Sequence, residues 1–115
     1  MSKDEIKFFK GVHKMLNQIN EMKKTIEALV NEFTNQADRA DEILTDYDIE
    51  YRSADELKHL RQAEKQEVED RYAELYDEFT TAVYKLRSAK GVLAALRVLE
   101  DEVIIAQNKG ILPKG

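Results

Sequence analysis

Residues 52–61, Arg-Ser-Ala-Asp-Glu-Leu-Lys-His-Leu-Arg, repeat a pattern that opens the chain. Ser53 stands three residues before Glu56, as Ser2 stands three before Glu5 in Met-Ser-Lys-Asp-Glu-Ile-Lys-Phe-Phe-Lys. Serine followed at that distance by glutamate and then an apolar run is a capping box, in which the side chains take up N–H groups that a helix start leaves without partners. Two boxes predict two helix starts and therefore two long helices. They are punctuation and not a duplicated unit, because the residues that follow them do not match.

Working outward from the first box, apolar residues recur at steps of three and four: Phe8, Val12, Met15, Ile19, Met22, Ile26, Leu29, Phe33, then Gln36, Ala40 and Ile43. Gln36 reads as one polar slip in five heptads. A second column, Phe9, Leu16, Lys23, Val30, Ala37 and Leu44, lies beside the first, with Lys23 placed to snorkel from the flank. A stripe this wide exceeds a two-stranded seam and predicts a bundle of three or more helices. From the second box onward, heptads settle at Val68, Tyr72, Leu75, Phe79, Ala82, Leu86, Ala89, Leu93 and Leu96, and the run lasts to about Gln107. Asn108, Lys109 and Gly110 then supply a stop, with Ile111 and Leu112 placed to fold back on the last turn and Pro113 blocking continuation.

Between the runs, Tyr47, Ile49 and Tyr51 alternate with charged residues, which predicts an extended connector over 46–52. The expected plan is one helical domain over 1–115: a helix at about 3–45, the connector, a helix at about 54–107 and a short tail at 108–115. A hairpin turning near residue 49 or 50 sets Lys3 against about Leu96 and leaves residues 97–108 without a partner in their own chain. At 1.5 Å per residue the helices would be about 65 Å and about 80 Å long.

Gly91 falls inside the second run, and downstream of it the best stripe moves by one position to Val92, Leu96, Leu99, Val103 and Ala106. Leu93, Val98, Ile104 and Ile105 add apolar surface on other sides of the same segment. The fold expected is therefore all-α: a long antiparallel, coiled-coil-like helical hairpin, completed to a four-helix bundle by dimerisation through Val92, Leu96, Leu99, Val103 and Ile104. The alternative is a three-helix bundle with a break at Gly91. One interior glycine costs a helix only about 1 kcal/mol, and no proline or turn cluster accompanies it, so the dimer is preferred.

Composition bounds the function. In 115 residues 36% are charged, with four glycines, one proline, no tryptophan and no cysteine, a balance that favours helices and excludes disulfide or thiolate chemistry. No run approaches a membrane span and the start lacks the apolar core of a signal peptide, so a cytoplasmic location without membrane contact is expected. The net charge of −5 is uneven. Residues 1–30 hold six basic and four acidic side chains, residues 31–57 hold two and nine, and residues 58–115 hold ten of each.

Enzyme readings find little. Asp46, Asp48 and Glu50 are spaced like the opening of a calcium loop, but Tyr51 stands where glycine is needed and Leu57 where the bidentate glutamate is needed. Glu56 and His59 have the spacing of half a di-iron carboxylate site, yet His13 lacks the matching glutamate. Glu64, Glu67, Asp70, Glu74, Asp77 and Glu78 resemble the acidic helices of all-α nucleotide pyrophosphohydrolases, but all lie on one helix interleaved with Lys65 and Arg71, as the polar face of a coiled coil does. Tyr72, Tyr76, Phe79 and Tyr84 follow helical spacing without a basic patch, which argues against nucleic acid. No cofactor and no metal is expected. The length and helix–loop–helix plan resemble those of prefoldin-type and tubulin-cofactor-type helical chaperones, without the β-hairpin segment of the former.

The expected role is a non-enzymatic interaction module: an adaptor, inhibitor or assembly factor working as a self-associating hairpin. Its acidic tip, with Asp46, Tyr47, Asp48, Ile49, Glu50 and Tyr51 as partner-binding residues, would meet a protein with a basic or amphipathic surface. The alternative is a small chaperone that receives an amphipathic client segment on its apolar C-terminal helix. A carboxylate-metal hydrolase is the remaining alternative.

Overall fold

The computed structural model describes the backbone of residues 3–111 and the side chains of residues 11–111. The first capping box at Ser2, and Leu112 and Pro113 of the tail, lie outside the described residues. Three helices follow in order: α1, Lys3–Tyr51; α2, Ala54–Leu57; and α3, Gln62–Asn108. The fold is an all-α antiparallel helical hairpin of two long helices.

Helix α1 runs through the expected connector. The reason is local: at i, i+4 spacing Tyr47 and Tyr51 bring their ring centroids to 4.7 Å, and Arg52 reaches back to the Asp48 carboxylate. The Arg52 amide still donates to the Asp48 carbonyl at 3.0 Å, which carries the helical bonding one residue past Tyr51. Ile49, read above as part of an alternating strand, is left 69% exposed.

The second capping box starts a helix of one turn only. Ser53 sits at φ −65°, ψ 153° as N-cap and its hydroxyl accepts the Glu56 amide at 3.3 Å. Helix α3 then begins separately at Gln62, its first bonds including Lys65 N–H to the Arg61 carbonyl at 2.9 Å. The single helix expected over 54–107 is thus two. Gly91 does not interrupt α3, which excludes the three-helix bundle as the fold. At the far end Gly110 takes φ 77°, its amide donates to the Gln107 carbonyl at 3.1 Å, and the Ile111 amide donates to the Ala106 carbonyl at 2.9 Å. That pair of bonds is a Schellman stop, and the positive φ is why glycine stands there.

Contacts divide the chain into two compact units. Unit 1 joins α1 as far as Leu29 with α3 from Ala89 onward, and unit 2 is Val30–Ser88. In unit 1, Lys23 faces Glu100 and Glu27 faces Arg97. Residues 97–108, expected to overhang, are therefore opposed by α1, and Val103 and Gln107 are buried. The turn lies nearer residue 60 than 50 because α1 is longer than expected and α2 with its flanks spaces α1 from α3.

Burial shows which columns form the seam. On α3 an unbroken alternation of three and four runs through the covered positions 65, 68, 72, 75, 79, 82, 86, 89, 93, 96, 100, 103 and 107, with 83 and 106 half-buried beside it. The stripe does not move over at Gly91: Val92 and Leu99 are exposed, while Leu93, Leu96 and Val103 are buried. On α1 the seam is Val12, Leu16, Ile19, Lys23, Ile26, Val30, Phe33, Ala37, Ala40, Leu44 and Tyr47. The column containing Lys23, assigned above to the flank, is in the seam. Met22 and Ile43, assigned to the seam, are 52% and 46% exposed. The choice is forced in unit 2, where one column offers Ala37, Leu44 and Tyr51 and its rival offers Gln36, Ile43 and Glu50. A continuous α1 carries the same register into unit 1.

Candidate functional site

Two surfaces stand out, one in each unit. In unit 2 the end of α1 and the start of α3 are joined by side chains that the tip sequence supplies. The Tyr47 hydroxyl donates to the Val68 carbonyl at 3.3 Å. Arg52 bonds Glu69 through Nε at 3.1 Å, pairs with Asp48, and places its guanidinium 3.6 Å from the centroid of the Tyr72 ring. An arginine is thus held between an aromatic face and two carboxylates. The hydrogen bond that Arg52 donates to Glu69 leads the causes that raise the Arg52 pKa above its ordinary value.

Beside this clamp lies a groove lined by Tyr47, Tyr51, Leu60, Glu64, Glu67 and Val68. Tyr51 occupies a seam position yet is 44% exposed, because α3 starts only at Gln62 and the seam ends open. The Glu50 charge raises the pKa of the Tyr51 phenol above its ordinary value. Of the six tip residues singled out from sequence, Tyr47 and Tyr51 line this groove. Asp48 is committed to Arg52. Asp46, Ile49 and Glu50 are exposed on other sides of α1. Sequence reading missed Leu60, Glu64, Glu67 and Val68, because an extended connector gives no reason to bring α3 residues to the tyrosines. The i, i+4 spacing of Tyr47 and Tyr51 is the signal that finds them.

In unit 1 the second surface is apolar. Of the five residues named as an oligomer interface, Leu96 and Val103 are buried in the chain's own seam, whereas Val92, Leu99 and Ile104 are 46%, 47% and 41% exposed. Val92, Leu99 and Ala106 form the column that borders the seam of α3 on one side, and Met15, Met22 and Leu29 form the corresponding column on α1. In an antiparallel pair, equivalent flanking columns lie on the same side of the seam. Outside them come Gln18 and Thr25 on α1 and Ser88, Ala95 and Glu102 on α3, with Val98 and Ile105 beyond. Shallow hollows on α1 are lined by Met22 and Glu21, one with Lys14, Asn17 and Gln18 and the other with Thr25 and Ile26. The opposite flank of unit 1 carries Glu27 against Arg97 at 3.9 Å, with Lys90 and the exposed Ile104 in the same column of α3.

Among the described residues no three His, Asp or Glu side chains are placed to hold a metal ion, and no helix is long and apolar enough to cross a membrane. Glu56 lies on the single turn of α2 and His59 beyond it, both exposed. The chain matches no family model, no curated protein and no solved structure.

Proposed function

We propose that the protein is a non-enzymatic interaction module of the cytoplasm: a hairpin that pairs with a second copy through unit 1 and meets a protein partner with its acidic tip. The observation that carries this reading is the apolar column of Met22, Val92 and Leu99, exposed on one flank of unit 1 while the seam is already filled. A two-helix hairpin does not need that column. In unit 2 the same two columns carry Gln36, Ile43 and Glu50 on α1 and Arg71, Glu78 and Lys85 on α3, as solvated flanks do.

A second copy is the occupant that best fits. Of the positions bordering the column, Gln18, Thr25, Ser88 and Ala95 are uncharged and Glu102 carries a charge at one end, so the centres of two such faces meet without like-charge repulsion. Over residues 88–106 a pair of helices, each about 10 Å across, rises about 28 Å and presents on the order of 600 Å². Burying that from each copy reaches about 1,200 Å², the lower bound for specific, stable interfaces. Exposed Val98 and Ile105 adjoin the face and extend it. The test is solution mass by light scattering over a concentration series. The wild type should be a dimer, and Met22→Glu with Leu99→Glu should give a monomer of unchanged helix content. A wild type that stays monomeric at 100 μM overturns the reading.

A further inference from the structure

We infer that the groove of Tyr47, Tyr51, Leu60, Glu64, Glu67 and Val68 is a receptor for an arginine side chain presented by a segment of the partner protein. The inference rests on the reading of the tip as the end that meets a partner, and adds the residues and the chemistry.

The first support is a precedent within unit 2. Arg52 is held by the face of Tyr72 at 3.6 Å and by the carboxylates of Glu69 and Asp48. The groove repeats that composition: two tyrosine rings 4.7 Å apart, and the carboxylates of Glu64 and Glu67 at its edge. Among the described residues no cation fills it. Arg61 approaches Glu64 only to 3.9 Å and is 91% exposed, and Glu67 has no ion-pair partner among the described residues.

Charge gives the second support. Between residues 41 and 70 the chain holds eleven acidic and four basic side chains. Arg52, Lys58 and Arg61 already face Asp48, Asp55 and Glu64. The remaining excess of negative charge draws a basic segment toward this end, and the groove is where apolar wall and carboxylate coincide. A planar guanidinium stacks on a phenol ring and offers N–H groups to carboxylates at its edge at the same time, which an ammonium does less well. Leu60 and Val68 provide apolar wall for the stem of the side chain or for a neighbouring apolar residue.

The experiment uses the full chain, isotope-labelled, titrated with an end-blocked hexapeptide of alternating leucine and arginine and followed by NMR. Saturable shifts are expected at Tyr47, Tyr51, Leu60 and Val68. The same peptide with citrulline for arginine, which keeps the shape and removes the charge, should give none. Glu64→Gln with Glu67→Gln, both exposed positions, should weaken the arginine peptide at least tenfold without changing helix content or solution mass. Asp41→Asn, Glu42→Gln and Asp46→Asn together, which leave the groove untouched, should weaken it less than threefold. If that triple variant abolishes binding and the groove variant does not, the partner sits on the acidic face of α1: the tip reading stands and the groove is overturned. Shifts from the citrulline peptide, or equal shifts from spermidine, overturn the arginine receptor. No saturable shift anywhere overturns both the groove and the tip as the working end.

Discussion

At the scale of single residues, the seam depends on a polar pair. Lys23 Nζ lies 3.0 Å from both carboxylate oxygens of Glu100, at part-buried positions that the heptads otherwise give to apolar groups. Removing one partner leaves the other charge in the seam, whereas replacing both with leucine removes the desolvation penalty together with the attraction. Lys23→Leu alone should therefore destabilise by about 1–2 kcal/mol, and the double change Lys23→Leu with Glu100→Leu should recover most of that. Urea denaturation of the two singles and the double checks it; an additive double change would mean that the pair contributes nothing. What the pair is expected to supply is register, since a helix slid by one heptad sets Lys23 against Leu93 or Gln107 in place of Glu100. Gly91 invites the opposite change. A Cβ built there meets nothing within 4 Å, and the backbone is helical, so Gly91→Ala should stabilise by about 1 kcal/mol. Thermal unfolding reads this directly, as a rise of roughly 4–8 °C in a domain of this size.

At the scale of the helices, ends are set by different means. Helix α3 stops because Gly110 adopts a positive φ that closes two carbonyl bonds. Gly110→Ala forces a side chain into that conformation and should cost about 1 kcal/mol. Its amide exchange signature should be confined to the last turn, at Gly110 and Ile111, with the amides of the seam around Leu96 unaffected. Helix α1 ends less sharply, two residues before Ser53, and the short α2 sits where a hairpin connection belongs. Arg52, just past the end of α1, is the tie there, reaching Asp48 on α1 and Glu69 and Tyr72 on α3. Arg52→Ala should loosen this junction by about 1–2 kcal/mol, because it removes a charge-assisted bond and a stacking contact at once. Exchange should rise in residues 47–60 ahead of the rest of unit 2. Uniform exchange would show that the arginine is ornamental.

At the scale of the whole molecule, two surfaces remain unspent after each unit has formed its own seam. One is apolar, on the flank of unit 1 through Met22, Val92 and Leu99. The other is acidic and aromatic, at the tip in unit 2. The self-association proposed for the first and the arginine site proposed for the second are separable by mutation. Met22→Glu with Leu99→Glu should abolish self-association and leave arginine-peptide binding at the tip within a factor of two, apart from the loss of any avidity. A variant that loses both would join the two surfaces in one mechanism, and peptide binding measured against solution mass on the same samples decides it.

The sequence by itself determined that the chain is all-α, that it makes two long antiparallel helices, and that the seam of α3 runs through Val68, Leu75, Ala82, Ala89 and Leu96. Periodicity of apolar residues is a local property and needs no partner to be read. It also singled out Val92 and Leu99, which the structure leaves exposed beside the seam, and Tyr47 and Tyr51, which line the groove at the tip. What it could not decide was the column of α1 that faces α3, and the course of the stripe beyond Gly91. Both errors have one cause: Lys23 and Glu100 each look like a reason to move the stripe aside, and each is tolerated in the seam because the other stands opposite. A charge excluded by its own helix can be admitted by a neighbouring one, and only the tertiary structure brings the two together.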